Sequence, residues 1–106
     1  MAKFMFQATY SPEGLKGLAK DKASGRKAAV SKAVAAAGGS VESFYYAFGN
    51  YDAVVIVDAP DNVSAASVAL TISASGLARV RTTPLLTVEE IDKALERSVD
   101  YRPPGA

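Results

Sequence analysis

The chain contains no cysteine and no histidine. Their absence excludes disulfide bridges, a thiolate nucleophile, a Ser-His pair and iron–sulfur ligation, together with zinc or haem centres built on thiolate or imidazole. A charge excess is lacking too: twelve Lys and Arg stand against eleven Asp and Glu, a formal charge of +1. No long-range field then draws the chain to nucleic acid or to an anionic membrane, and neither is expected as a partner. No apolar run reaches the roughly 18 residues of a membrane span. The opening stretch MAKFMFQATY alternates instead of following a secretion signal's charged-then-apolar order, so a cytoplasmic location is expected.

What is present is a soluble composition, 49% apolar and 22% charged, over 106 residues, which suits one domain. Twenty residues are alanine, so part of the core comes from closely approaching backbones instead of large side chains. Residues 1–98 read as the domain and residues 99–106 as an extended Pro-rich tail.

Lys3 to Tyr10 alternates as a strand, with Phe4, Phe6 and Ala8 on one face and Met5, Gln7 and Thr9 on the other. Ser11 caps, and Pro12 and Glu13 begin, a helix that runs to about Ala37 with an irregularity near Ser24-Gly25. Its second half carries the stripe Val30, Ala33, Val34, Ala37 before Gly38-Gly39 ends it. Val41 to Phe48 is a second strand, with Phe44, Tyr46 and Phe48 opposite Val41, Ser43, Tyr45 and Ala47. Gly49-Asn50 predicts a two-residue hairpin turn through positive φ angles. Ala53 to Asp58 follows as a strand apolar on both faces. Pro60-Asp61-Asn62 then opens a helix over Val63–Ser75, with Ala65, Val68, Ala69 and Ile72 inward. Ala78 to Thr83 is a fourth strand stopped by Pro84, with Arg79 and Arg81 facing away from Val80. Thr87-Val88-Glu89-Glu90 is a capping-box signature for a third helix ending near Arg97.

The fold class is therefore α+β: a ferredoxin-like β-α-β-β-α-β antiparallel sheet with an extra C-terminal helix. Right-handed crossovers place strands one and three at the centre and both long helices on one face. The other face stays open although strand three is apolar on both sides. Such a surface marks an interface, most simply with a second copy of the chain through a two-fold axis. The third helix folding over the same face is the competing explanation.

Gly49-Asn50-Tyr51-Asp52, with Phe44-Tyr45 before it and VVIVDAP (Val54 to Pro60) and Asp61 after it, resembles the GYD domain family. Arg79-Val80-Arg81-Thr82 on the last strand is similar as well, so the resemblance spans most of residues 3–97. It implies a ferredoxin-like fold assembled as a dimeric α/β barrel and implies no particular reaction. Architectures of that breadth include cofactor-free monooxygenases, muconolactone-type isomerases, haem-degrading enzymes and ligand sensors, so fold does not decide function.

Four residues are candidates for ligand binding: Tyr51, Asp52, Arg79 and Arg81. Tyr51 and Asp52 are either a donor/acceptor pair at a pocket mouth or a packing ring and a backbone acceptor in the turn. Arg79 and Arg81 share a face with Gln7 and Thr9 on the neighbouring strand. They either grip a carboxylate or phosphate, or they discourage unwanted pairing of an edge strand or bridge subunits. Tyr10, Tyr45 and Tyr46 line a cavity or pack as core or interface aromatics. Asp58 and Asp61 read as strand-end and cap residues, and no metal or cofactor is expected. No G-x-G-x-x-G follows a strand, and strand three offers no aromatic platform for nucleic-acid bases. The leading expectation is a homo-oligomer holding a small organic molecule, an anion among the candidates, between sheet and partner subunit. Alternatives are a cofactor-free enzyme, whose only candidate base is Asp52, and a purely structural assembly protein.

Overall fold

The computed structural model describes residues 1–106 in the order β1 (Ala2–Tyr10), α1 (Pro12–Ala36), β2 (Ser40–Tyr46), β3 (Ala53–Ala59), α2 (Asn62–Ala74), β4 (Ala78–Leu85) and α3 (Val88–Glu96). The strands form one antiparallel sheet in the order β2-β3-β1-β4, so the expected ferredoxin-like fold is present. Alternation decides which face is filled. Phe4 and Phe6 from β1 and Ala53, Val55, Val57 and Ala59 from β3 are buried with Val34 of α1 and Ala65, Val68 and Ala69 of α2. Four of these ten buried side chains are alanine, so small residues make up part of the core, as the alanine content suggests.

The helix starts follow local chemistry. Ser11 Oγ accepts the Gly14 amide and donates to the Leu77 carbonyl, tying the α1 start to the α2–β4 connection. Asp61 Oδ1 accepts the Ser64 amide at the start of α2. Thr87 and Glu90 complete a reciprocal capping box on α3. Gly38 leaves α1 at φ +86°, a conformation that suits glycine.

Four expectations need correction. The irregularity in α1 lies at Lys22, which adopts φ 67°, and not at Ser24-Gly25. The β2–β3 connection is not a two-residue turn: neither Gly49 nor Asn50 has positive φ, and residues 47–52 form a longer loop. A register shift between Val41 and Ser43 moves Val41 onto the helix-covered face with Phe44 and Tyr46. One extra residue in one strand reverses the facing of everything before it, which strict alternation cannot show. Finally, β4 runs through Pro84 to Leu85, because an edge strand tolerates a residue without an amide hydrogen.

The opposite sheet face carries Met5, Gln7 and Thr9 of β1, Val54 and Ile56 of β3, Tyr45 of β2, and Arg79 and Arg81 of β4. No helix of the chain covers it. The competing expectation, that α3 folds over this face, does not hold: no residue of α3 is buried. The helix projects instead, giving a radius of gyration of 16.9 Å and a longest extent of 56 Å. A compact chain of this length would have a radius of about 13 Å.

Candidate functional site

Strand pairing brings the site together. On β1, Gln7 lies opposite Arg81 and Thr9 opposite Arg79, so β4 delivers two guanidiniums beside an amide and a hydroxyl. The 47–52 loop supplies Tyr51 above them. Arg81 Nη1 donates to Tyr51 Oη at 3.0 Å, and the guanidinium carbon lies 5.9 Å from the centroid of the Tyr51 ring. Hydrogen bond and cation–π geometry together hold Arg81 to the rim. Gln7, Thr9, Tyr51, Arg79 and Arg81, joined by Asn50 and Val80, surround a cavity of about 580 Å³ that opens to solvent.

The electrostatics of this cavity are one-sided. Its lining contains two cations and no carboxylate. Neither Arg79 nor Arg81 takes part in a salt bridge within the chain. Residues two apart on a strand are separated by roughly 7 Å, so the two charges repel until an anion lies between them. A carboxylate or phosphate accepting from both would form charge-assisted hydrogen bonds, and Gln7, Thr9 and Asn50 can supply neutral partners.

Asp52 behaves differently from its neighbour Tyr51. Its Oδ2 accepts the Tyr10 amide at 2.8 Å, while its own amide donates to the Ala8 carbonyl at 2.8 Å. The Ala47 amide donates to the Asp52 carbonyl at 2.9 Å. Backbone pairing of β1 with β3 ends at Ala8 and Ala53, and Asp52 continues the ladder with its side chain. It does not line the cavity. Of the two readings of Asp52, the backbone-acceptor one describes its geometry, and its part in the site is to hold the loop that carries Tyr51.

The three further tyrosines do not share one cavity. Tyr45 stands exposed on the open face, and Tyr46 packs on Phe44 with ring centroids 5.3 Å apart. Tyr10 borders a separate groove of about 240 Å³ beside Gly14, Gly17, Leu18 and Leu77. Partial desolvation, and then the Tyr10 hydroxyl beside it, push the Tyr46 phenol up to about 12. Asp61 is held below the ordinary carboxylate range by the Ser64 amide, and Glu90 by the Thr87 amide. These are the signatures of caps.

Two features escaped sequence reading. Asn50 faces the cavity, although the Gly-Asn pair signalled only a turn. Lys3 Nζ pairs with Asp58 at 2.8 Å and with Glu42 at 3.1 Å. Asp58 first and Glu42 second raise the Lys3 ammonium above its usual range. That cluster depends on the β2 register shift and had no local signal.

The GYD domain family model matches residues 4–95, which include every strand from Phe4 onward, the Tyr51 loop and nearly all of α3. The chain belongs to the GYD domain family. Searches of curated proteins and of solved structures return no match. No helix of this GYD domain is long and apolar enough to cross a membrane.

Proposed function

We propose that this GYD domain works as a homodimer that binds a small organic anion on the open sheet face, between the sheet and the second subunit. The observation that carries the reading is that two guanidiniums, Arg79 and Arg81, share a cavity without a carboxylate and neither has a salt-bridge partner in the chain. The rest of the open face supports the dimer. Met5, Val54 and Ile56 form an apolar strip beside the cavity, with Tyr45 next to it. The second subunit would cover this strip and make the cavity less exposed to water, which strengthens ionic hydrogen bonds. The ligand would place its anionic end at the two arginines and its apolar part along the strip. Tyr51 orients Arg81, and Asp52 holds the loop.

Calorimetric titration with aromatic and aliphatic carboxylates tests this reading. Binding is expected for at least one class, weakened about tenfold or more in Arg79→Ala and Arg81→Ala, and falling as salt is raised. No heat and no thermal shift with any of these compounds would overturn it. The cofactor-free enzymatic reading draws no support from the cavity, since its candidate base Asp52 lies outside it.

A further inference from the structure

We infer that α3 is an exchanged arm: in the dimer it leaves its own subunit and packs its apolar stripe on the second copy, completing the interface around the open sheet face. The inference rests on the dimer proposed above and goes beyond it by assigning the C-terminal segment a role in assembly.

The helix is well formed yet unpartnered. Its capping box satisfies the free amides at its start, so α3 does not depend on packing to begin. Val88, Ile91 and Leu95 fall at helical spacing on one side and are 76%, 43% and 77% exposed. The segments flanking the helix add Leu86, Val99 and Tyr101, all exposed as well. α3 makes no extensive packing contact within its own chain, whereas α1 and α2 both pack on the sheet layer. An amphipathic helix with nothing against its apolar side, joined to a sheet with nothing against its apolar face, leaves two unsatisfied surfaces in one molecule.

Area supplies the second step. Four strands spaced about 4.8 Å apart and about 25 Å long present a footprint of roughly 500 Å². A stable interface takes about 800 Å² of accessible surface from each partner, and part of this footprint is the open cavity and not contact surface. The sheet face alone falls short. Adding the α3 stripe and the residues around it brings the contact toward that size. A second copy is the occupant that satisfies both surfaces at once, because a two-fold axis uses each arm and each face twice.

The lack of native cysteine allows a direct test. A benzophenone is attached to a single introduced cysteine in the full chain at Leu95→Cys, at Tyr45→Cys on the open face, or at Leu70→Cys on the exposed side of α2. The expected result is a covalent dimer on irradiation from the first two sites and only monomer from the third. Dimer from Tyr45→Cys with none from Leu95→Cys would overturn the arm and leave the sheet-face dimer standing. Dimer from Leu95→Cys alone would overturn the sheet-face interface and, with it, the arm as placed here. Monomer from both would overturn the two together. Unchanged circular dichroism confirms that each labelled chain is folded.

Discussion

At the scale of single residues, the motif divides into a positioning part and a cavity-facing part. Asp52 fixes the loop to β1 through the Tyr10 amide, and Tyr51 meets Arg81 at the cavity. Asp52→Ala leaves that amide without its acceptor and is expected to cost about 1–3 kcal/mol, read as a lower urea midpoint. Asp52→Asn keeps an acceptor oxygen and is expected to lose less. Two glycines of α1 make a contrasting pair. A methyl group on Gly14 would collide with the Leu77 carbonyl, so Gly14→Ala is expected to destabilise by about 1–3 kcal/mol. Nothing lies within 4 Å of a methyl group on Gly17, and Gly17→Ala is expected to stabilise by about 0.5–1 kcal/mol. Denaturant unfolding of the two variants checks both signs.

Titration at the caps gives a pH prediction of definite sign. Asp61 and Glu90 bind protons less readily folded than unfolded, because backbone amides donate to their carboxylates. Their contribution is complete above the ordinary carboxylate range and is lost as pH falls through the lowered folded values. Stability should therefore decline below about pH 4, and Asp61→Asn should flatten that decline. Tyr46 acts at the other end. Its folded value of about 12 lies above the unfolded one of 10.0, so its contribution is intact below pH 10 and is lost as pH rises toward 12. Tyrosinate absorbance should show a delayed ionisation step that Tyr46→Phe removes.

At the scale of elements, Ser11 links three pieces of chain, and Ser11→Ala is expected to cost about 1 kcal/mol in thermal or denaturant unfolding. The same cap was legible in sequence because Ser-Pro-Glu is a local signal. So were the inward faces of β1 and β3, the stripe of α2, the capping box of α3 and the shared face of Arg79 and Arg81. What escaped was non-local or depended on a single register step. The facing of Val41 turns on one extra residue in β2, and the Lys3 cluster depends on it in turn. The Gly49-Asn50 turn signal was outweighed by Asp52, whose side chain anchors the loop to a strand more than forty positions earlier in sequence. Pro84 illustrates the same lesson: its tolerance depends on β4 lying at the sheet edge.

At the scale of the whole molecule, the chain is longer in one direction than a closed domain of its size should be. Its apolar sheet face and its amphipathic third helix are both left without partners. Two subunits pressed together through that face would resolve both and would enclose the arginine-lined cavity. Ile56 sits in the middle of the apolar strip, paired with Met5 on one side and Ser43 on the other. Ile56→Asp should therefore separate the subunits while leaving the helix-covered core, to which Ile56 does not belong, intact. The measurement that bears most directly on this account is the mass of the unmodified particle by sedimentation equilibrium at low micromolar concentration. The account predicts twice the chain mass of 11.0 kDa, and a single species of 11.0 kDa would contradict it.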